Sequence, residues 1–242
     1  MAVFVIADLH LSTAARTNKS MEVFGARWQN YTEKLARNWQ ALVGEDDTVV
    51  IPGDISWAMT LAEAADDLRF IHRLPGKKIL CKGNHDFWWS SMQKNLAFLE
   101  AENLHTLRFL YHSAVRVENF IFCGTRGWFC EDPENTDDPQ TLKLIAREAL
   151  RLEMSLKEAV KLKEQYPDCE IIPVFHFPPV WAGTECKPLT DLLRAYGIRR
   201  CYYGHIHGAY GQEQVTDCGD FRTVMVSADY LSFTPLHVPP EL

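Results

Sequence analysis

The sequence predicts an α/β fold built on a largely parallel sheet. Two observations carry that prediction. Apolar, strand-like runs alternate with helix-period segments three times in the first hundred residues, and the second half then changes to hairpin spacing interrupted by one long amphipathic segment. "AVFVIADLH" is a short apolar run ending in polar residues, the pattern of a buried strand. Trp28, Tyr31, Leu35, Trp39 and Leu42 recur at helical spacing and predict a helix over about 27–43. "DTVVIPGD" is a second strand, followed by a helix carrying Leu61, Ala65, Leu68 and Ile71. "KKILCKGNHD" is a third, followed by a helix in "WWSSMQKNLAFLEAE". "AVRVENFIFCGT" reads as a hairpin turning at Glu118-Asn119, and "EIIPVFH", "RRCYYGH" and "FRTVMVSA" as later strands, with a helix near 189–196.

Between these lies a long helix over about 140–165, with Leu142, Ile145, Ala149, Leu152, Leu156, Ala159 and Val160 marking one face. Five acids in the eight residues from Glu131 to Asp138 lead into it. The segment 130–166 is expected to be a helical insertion in a single domain spanning 1–242, either a cap over a site or a covering helix. No linker, repeat or low-complexity tract divides the 242 residues, 47% of which are hydrophobic.

The net charge of −7 and pI of about 5.7 disfavour a broad nucleic-acid-binding face, which rests on many phosphate contacts. A small phosphorylated substrate stays compatible, because bound metal ions invert the local field. Seven scattered cysteines without a C-x-x-C pair suit reduced thiols. The apolar run at the start is too short for a signal peptide or a membrane span, so a cytoplasmic protein is expected.

Polar residues recur where the apolar strands end: Asp8 and His10, then Gly53-Asp54, then Gly83-Asn84-His85-Asp86, then His176, then His205 and His207. Active sites of open α/β sheets form outside the carboxyl ends of the strands. Imidazoles and carboxylates without a nearby cysteine suit two divalent ions of the Mn/Fe/Zn group. Alternation along a strand is expected to aim Asp8 and His10 the same way, and each glycine before a ligand to allow a tight turn or close approach. His72, His105, His112 and His237 belong to no such pattern.

These five pieces, in order from Asp8 to His207, resemble the motifs of the calcineurin-like metallophosphoesterase superfamily. The resemblance implies a four-layer α/β/β/α sandwich. It implies that Asp8, His10 and His207 hold one metal, that Asp54 bridges two, that Asn84, His176 and His205 complete the second, and that His85 is the general acid. Two metals roughly 3.5–4 Å apart can clamp a phosphate and convert water into hydroxide for in-line attack. The expected function is therefore a dimetal phosphohydrolase acting on a phosphomonoester or phosphodiester, with Mn or Fe favoured and Zn compatible.

The chain departs from the phosphoprotein phosphatases of that superfamily. They follow Gly-Asp with two residues and then Asp-Arg, where this chain has Trp57 and Ala58. Asp86 could then orient a neighbour, although a helix cap is the favoured role. Arg126, in "GTRGW", could clamp a phosphate or pair with the acids of 131–138. Phe87, Trp88, Trp89, Trp57, Phe177 and Trp181 could line a pocket or pack in the core. UDP-sugar lipid-precursor hydrolases begin similarly but carry Arg at the place of His85. A nuclease and a non-catalytic metal-binding scaffold are the alternatives, and the oligomeric state is left open.

Overall fold

A strand covered on both faces must be apolar on both. Val3–Val5 (β1), Thr48–Pro52 (β2) and Lys77–Cys81 (β3) largely meet that condition. In the computed structural model, which describes residues 1–13, 19–128 and 138–240, they run parallel to one another and to Leu107–Phe109 (β4). Tyr31–Leu42 (α1), Leu61–Arg73 (α2) and Met92–Ala101 (α3) cover the outer face. Leu35, Trp39, Leu68, Ile71 and Leu99 meet Phe4, Val49, Ile51 and Leu80 there. Each large aliphatic side chain so buried contributes about 1.5–3 kcal/mol. The helix expected over 27–43 is shorter than its periodicity suggested. Asn30 takes a left-handed φ of 50° and separates α1 from two 3-10 turns, Met21–Phe24 and Ala26–Trp28.

The second sheet starts with the hairpin of Val115–Val117 (β5) and Phe120–Thr125 (β6). Pro139–Gln165 (α4) follows, capped by Asp138, whose carboxylate accepts from the amides of Gln140 and Thr141. Glu170–Phe175 (β7) pairs parallel with β6. Beyond the small ribbon of Val180–Trp181 (β8) and Thr184–Glu185 (β9) come Lys187–Ala195 (α5), Arg200–Tyr203 (β10), Val215–Asp217 (β11) and Arg222–Met225 (β12). The strand order is β11-β12-β10-β7-β6-β5. Leu236–His237 (β13) returns to the first sheet, antiparallel to β1.

The sheets face each other through Val3, Val5, Val50 and Ile79 on one side and Phe120, Phe122, Ile172, Val174, Tyr202 and Val224 on the other. On the far side Ile121, Cys123, Phe175 and Tyr203 pack against Leu152, Leu156 and Ala159 of α4 and Leu189 and Leu193 of α5. This is the four-layer α/β/β/α sandwich. α4 covers the second sheet; its buried stripe is Glu148, Leu152, Ser155, Leu156 and Ala159, and Leu142 and Val160 of the expected apolar face lie exposed. The six described cysteines are free thiols, five of them buried; Cys130 lies outside the described residues.

Candidate metal centre

The two sheets join at the carboxyl ends of their central strands. Just past β1, Ala7 N donates to Val226 O at 2.8 Å and Ala7 O accepts from Ala228 N at 2.9 Å, so the chain steps from one sheet to the other. Asp8 and His10 follow that step and do not lie on a strand. Both are left-handed (φ 61° and 45°), as are Asp54 (51°) and His205 (71°). The expected alternation is thus corrected: backbone bends, each costing about 1–3 kcal/mol for a non-glycine residue, aim these side chains. The bends are held by His10 N donating to Asp54 O at 2.9 Å and Leu11 N to Ile55 O at 2.9 Å.

Gly53 and Gly83 let two of the loops meet. A Cβ on Gly83 would stand 2.1 Å from Asp54 Oδ1, and one on Gly53, at φ +91°, would stand 2.7 Å from the Gly83 backbone.

Asp86 does not cap a helix, contrary to the favoured expectation; Ser91 caps α3. Asp86 is fully buried and accepts from the amides of Gly83 (2.8 Å), Asp54 (2.9 Å), Ile55 (2.9 Å) and Ser56 (3.3 Å) and from Trp88 Nε1 (2.9 Å). It fixes the loop after β2 against the loop after β3. The buried Asp67 does similar work, accepting from Thr13 N at 2.7 Å and Ser56 Oγ at 2.5 Å.

The motif side chains converge. Asp8, His10 and His207 form one group whose ligand atoms lie within 4.8 Å of one another, and Asp8, Asp54 and His176 form another. Asp54 Oδ2 stands 3.7 Å from His10 Nε2 and 3.3 Å from His176 Nε2, so this carboxylate also reaches both groups. Asn84 Oδ1 lies 2.5 Å from His176 Nε2, and the His205 ring stands 5.2 Å from that of His176.

Tautomers follow from the outer partners. Asp229, fully buried, accepts from His207 Nδ1 at 3.0 Å, which turns the Nε2 lone pair toward His10 Nε2 at 3.1 Å. Pro52 O can only accept, so His176 donates from Nδ1 at 3.2 Å and presents a bare Nε2 to the oxygens of Asn84 and Asp54. Asp8 Oδ1 is buried without a hydrogen-bond partner among the described residues. Burial raises the Asp8 carboxyl to about 7 and, with Asp86 beside it, raises Asp54 well above the carboxylate range. Burial and the neighbouring histidines hold His10 and His176 well below the usual imidazole value. For His207 burial acts downward, but the hydrogen bond to Asp229 and the charge of Asp8 raise it. Facing lone pairs, with His10 and His176 held neutral and carboxylates between them, fit divalent metal ions.

His85 donates its backbone N–H to Asp54 Oδ1 at 2.8 Å, and its half-buried ring lies 4.3 Å from Trp57 and 5.6 Å from His10. Trp57 stacks on His10 at 4.9 Å. Burial, then the charges of His205, His207 and Lys19, lower the pKa of His85. Trp88 and Trp89 are core residues, Phe87 is exposed, and Phe177 packs on His205 at 4.3 Å.

Arg126 joins the site through its backbone: its carbonyl accepts from His176 N at 3.1 Å and Phe177 N at 2.8 Å. Its guanidinium lies 3.9 Å from Glu148 on α4. Of the acids of 131–138 offered as its partners, those at 131–137 lie outside the described residues and Asp138 caps α4. Sequence reasoning missed Glu148, Asp67 and Asp229. Only Asp229 carried a signal, a carboxylate just past the apolar run "VMVSA", as at the other motifs.

A family model described as calcineurin-like phosphoesterase matches residues 1–209. TT1561 of Thermus thermophilus has a similar fold, with a TM-score of 0.56 at 12% identity over 99% of this chain and 98% of that one. Phosphopantetheinyl hydrolase from Mycobacterium tuberculosis gives 0.54 at 14% identity over 99% and 96%. The Gene 66 protein of Mycobacterium phage L5 is 43% identical over 58 residues, 24% of this chain; the match spans 28% of that protein. With five strand ends supplying one cluster of candidate ligands and a family match over most of its length, the chain belongs to the calcineurin-like phosphoesterases.

Proposed function

We propose that the chain hydrolyses a phosphomonoester or phosphodiester with two divalent ions, Asp8, His10 and His207 holding one, Asn84, His176 and His205 the other, and Asp54 shared. The observation that carries this reading is the environment of His176 Nε2, a bare lone pair facing Asn84 Oδ1 at 2.5 Å and Asp54 Oδ2 at 3.3 Å. Three lone pairs at such distances need a shared proton or a cation among them, and a divalent ion would satisfy all three at once. Mixed oxygen and nitrogen ligation favours Mn or Fe and also suits Zn.

When bound, such ions polarise a phosphoryl oxygen and lower the pKa of water toward neutrality. The chain's own residues supply the rest. Asp54 is oriented by His85 N–H on Oδ1, and its carboxylate would hold metal. His85, half-buried beside the cluster and braced by Trp57, protonates the leaving oxygen. The net charge of −7 argues against a nuclease. Buried free thiols accord with the cytoplasm as the working compartment. No described helix is long and apolar enough to cross a membrane.

The test is hydrolysis of p-nitrophenyl phosphate and bis-p-nitrophenyl phosphate by metal-stripped chain, with Mn²⁺, Fe²⁺, Zn²⁺ or Mg²⁺ returned in turn. Metal-restored cleavage is expected, reduced about 10²–10⁴-fold in His85→Ala with both ions still bound. Asp54→Ala loses the ions as well. A chain that binds no metal sinks the reading, and two bound ions without turnover of either ester leave the metal-binding scaffold.

A further inference from the structure

Beside the metal centre a cavity of about 180 Å³ opens between the loops after β3 and β6 and the flank of α4. Lys82, Arg126, Arg147 and Arg151 line it together with His112 and one acid, Glu148. Glu148 is fully buried. Its Oε1 accepts from Arg151 Nη1 at 2.6 Å and lies 3.6 Å from Arg147 Nε and 3.9 Å from Arg126 Nη2. Its Oε2 accepts from Thr125 Oγ1 at 2.5 Å. Three guanidiniums therefore gather around one carboxylate and Lys82 adds a fourth cation to the wall, in a chain whose net charge is −7. The Nε of Arg126 is buried without a hydrogen-bond partner among the described residues.

The cavity is built into the fold and adjoins the ligands. Gly124 lets β6 press on β7, where a Cβ would stand 1.9 Å from Val174 O. That contact, with the Arg126 carbonyl bonded to His176 N, fixes Arg126 next to a ligand. On the opposite wall Lys82 precedes Gly83-Asn84. Burial, then the charge of Arg151, pushes His112 down to about 4, so it stays neutral at pH 7. Planar guanidiniums fanned from one carboxylate present paired donors that match phosphate oxygens.

We propose that this cavity binds a second phosphate or pyrophosphate group of the substrate, so that the preferred substrates are esters carrying two phosphate centres. The proposal rests on the phosphoesterase reading above and narrows its substrate class.

Two readouts test it. In equilibrium dialysis, metal-stripped chain should bind inorganic pyrophosphate at one site. Arg147→Gln and Lys82→Gln, both partly exposed and so compatible with folding, should each weaken binding about tenfold. No binding, or binding unchanged in both folded variants, overturns the proposal. With metals restored, kcat/KM for adenosine 3′,5′-bisphosphate should exceed that for adenosine 5′-monophosphate at least tenfold, and Arg147→Gln should reduce that ratio. Pyrophosphate binding with a ratio near one overturns the assignment to substrate and leaves a site for a free anion. Loss of metal-restored p-nitrophenyl phosphate cleavage would count against the phosphoesterase reading alone, since dialysis needs no turnover.

Discussion

Asp229 accepts from His207 Nδ1 at 3.0 Å through one oxygen, while its other oxygen accepts from Gly208 N and Tyr210 OH, each at 3.0 Å. A ligand imidazole oriented by a buried carboxylate is held in one tautomer and is more basic at its free nitrogen. Asp229→Asn preserves the shape and removes the charge. Metal affinity should fall about 10–100-fold, measured by competition with a chelating dye. Unchanged affinity would show that His207 needs no such partner.

Asp86→Ala would leave four backbone amides and the Trp88 indole without their acceptor. Each unsatisfied buried donor costs about 1–3 kcal/mol, and partial relaxation leaves an expected loss of about 3–5 kcal/mol. Urea denaturation in the presence of a chelator reads this effect apart from metal binding. A loss below about 1 kcal/mol would mean that water replaces the carboxylate.

Gly83→Ala places a methyl group 2.1 Å from Asp54 Oδ1 and 2.3 Å from Asp54 N. Backbone and carboxylate must both move, which takes Asp54 away from His10 and His176. The variant should fold yet bind fewer than two ions per chain by elemental analysis.

Lys78 is fully buried, its ammonium donating to the carbonyls of Leu74 and of His72 (3.3 Å) at the end of α2. Burial lowers its pKa to about 8 from 10.5. The folded chain therefore releases this proton more readily than the unfolded one. Its charge penalises folding below about pH 8, and stability is gained as pH rises toward 10.5. From pH 8 to 10 the stability of wild type relative to Lys78→Met should grow by about 2 kcal/mol, read from paired urea titrations. A flat difference would show that the carbonyls keep the ammonium charged.

Much of the fold and site was legible because apolar runs and their polar ends are one-dimensional signals. β1, β2, β3, β7 and β10 end at Val5, Pro52, Cys81, Phe175 and Tyr203, each just ahead of a motif. What escaped is what depends on distance along the chain. Asp229 meets His207 only because the chain past β12 folds back over the junction, and Glu148 meets Arg126 from a helix 22 residues on. The left-handed backbones at Asp8 and His10 were equally hidden, because "DLH" is compatible with a straight strand until Ala7 bonds across to Val226 and Ala228. Asp86 sat before a helix and invited a capping role, yet the free amides around Asp54 were nearer.

The step at Ala7 has a mechanical consequence. Asp8, His10, Asp54 and Asn84 follow strands of one sheet, whereas His176, His205 and His207 follow strands of the other. An ion held there as proposed would be gripped from both sides and act as a rivet between two layers that apolar contact and the hydrogen bonds of Ala7 also join. The sheets cannot slide or part without first releasing it, and every tenfold excess of metal over its dissociation constant adds about 1.4 kcal/mol to the work of pulling them apart. With metal held as proposed, catalytic centre and structural fastener would be the same few atoms, and resistance to heat and readiness for turnover should rise together as metal is loaded.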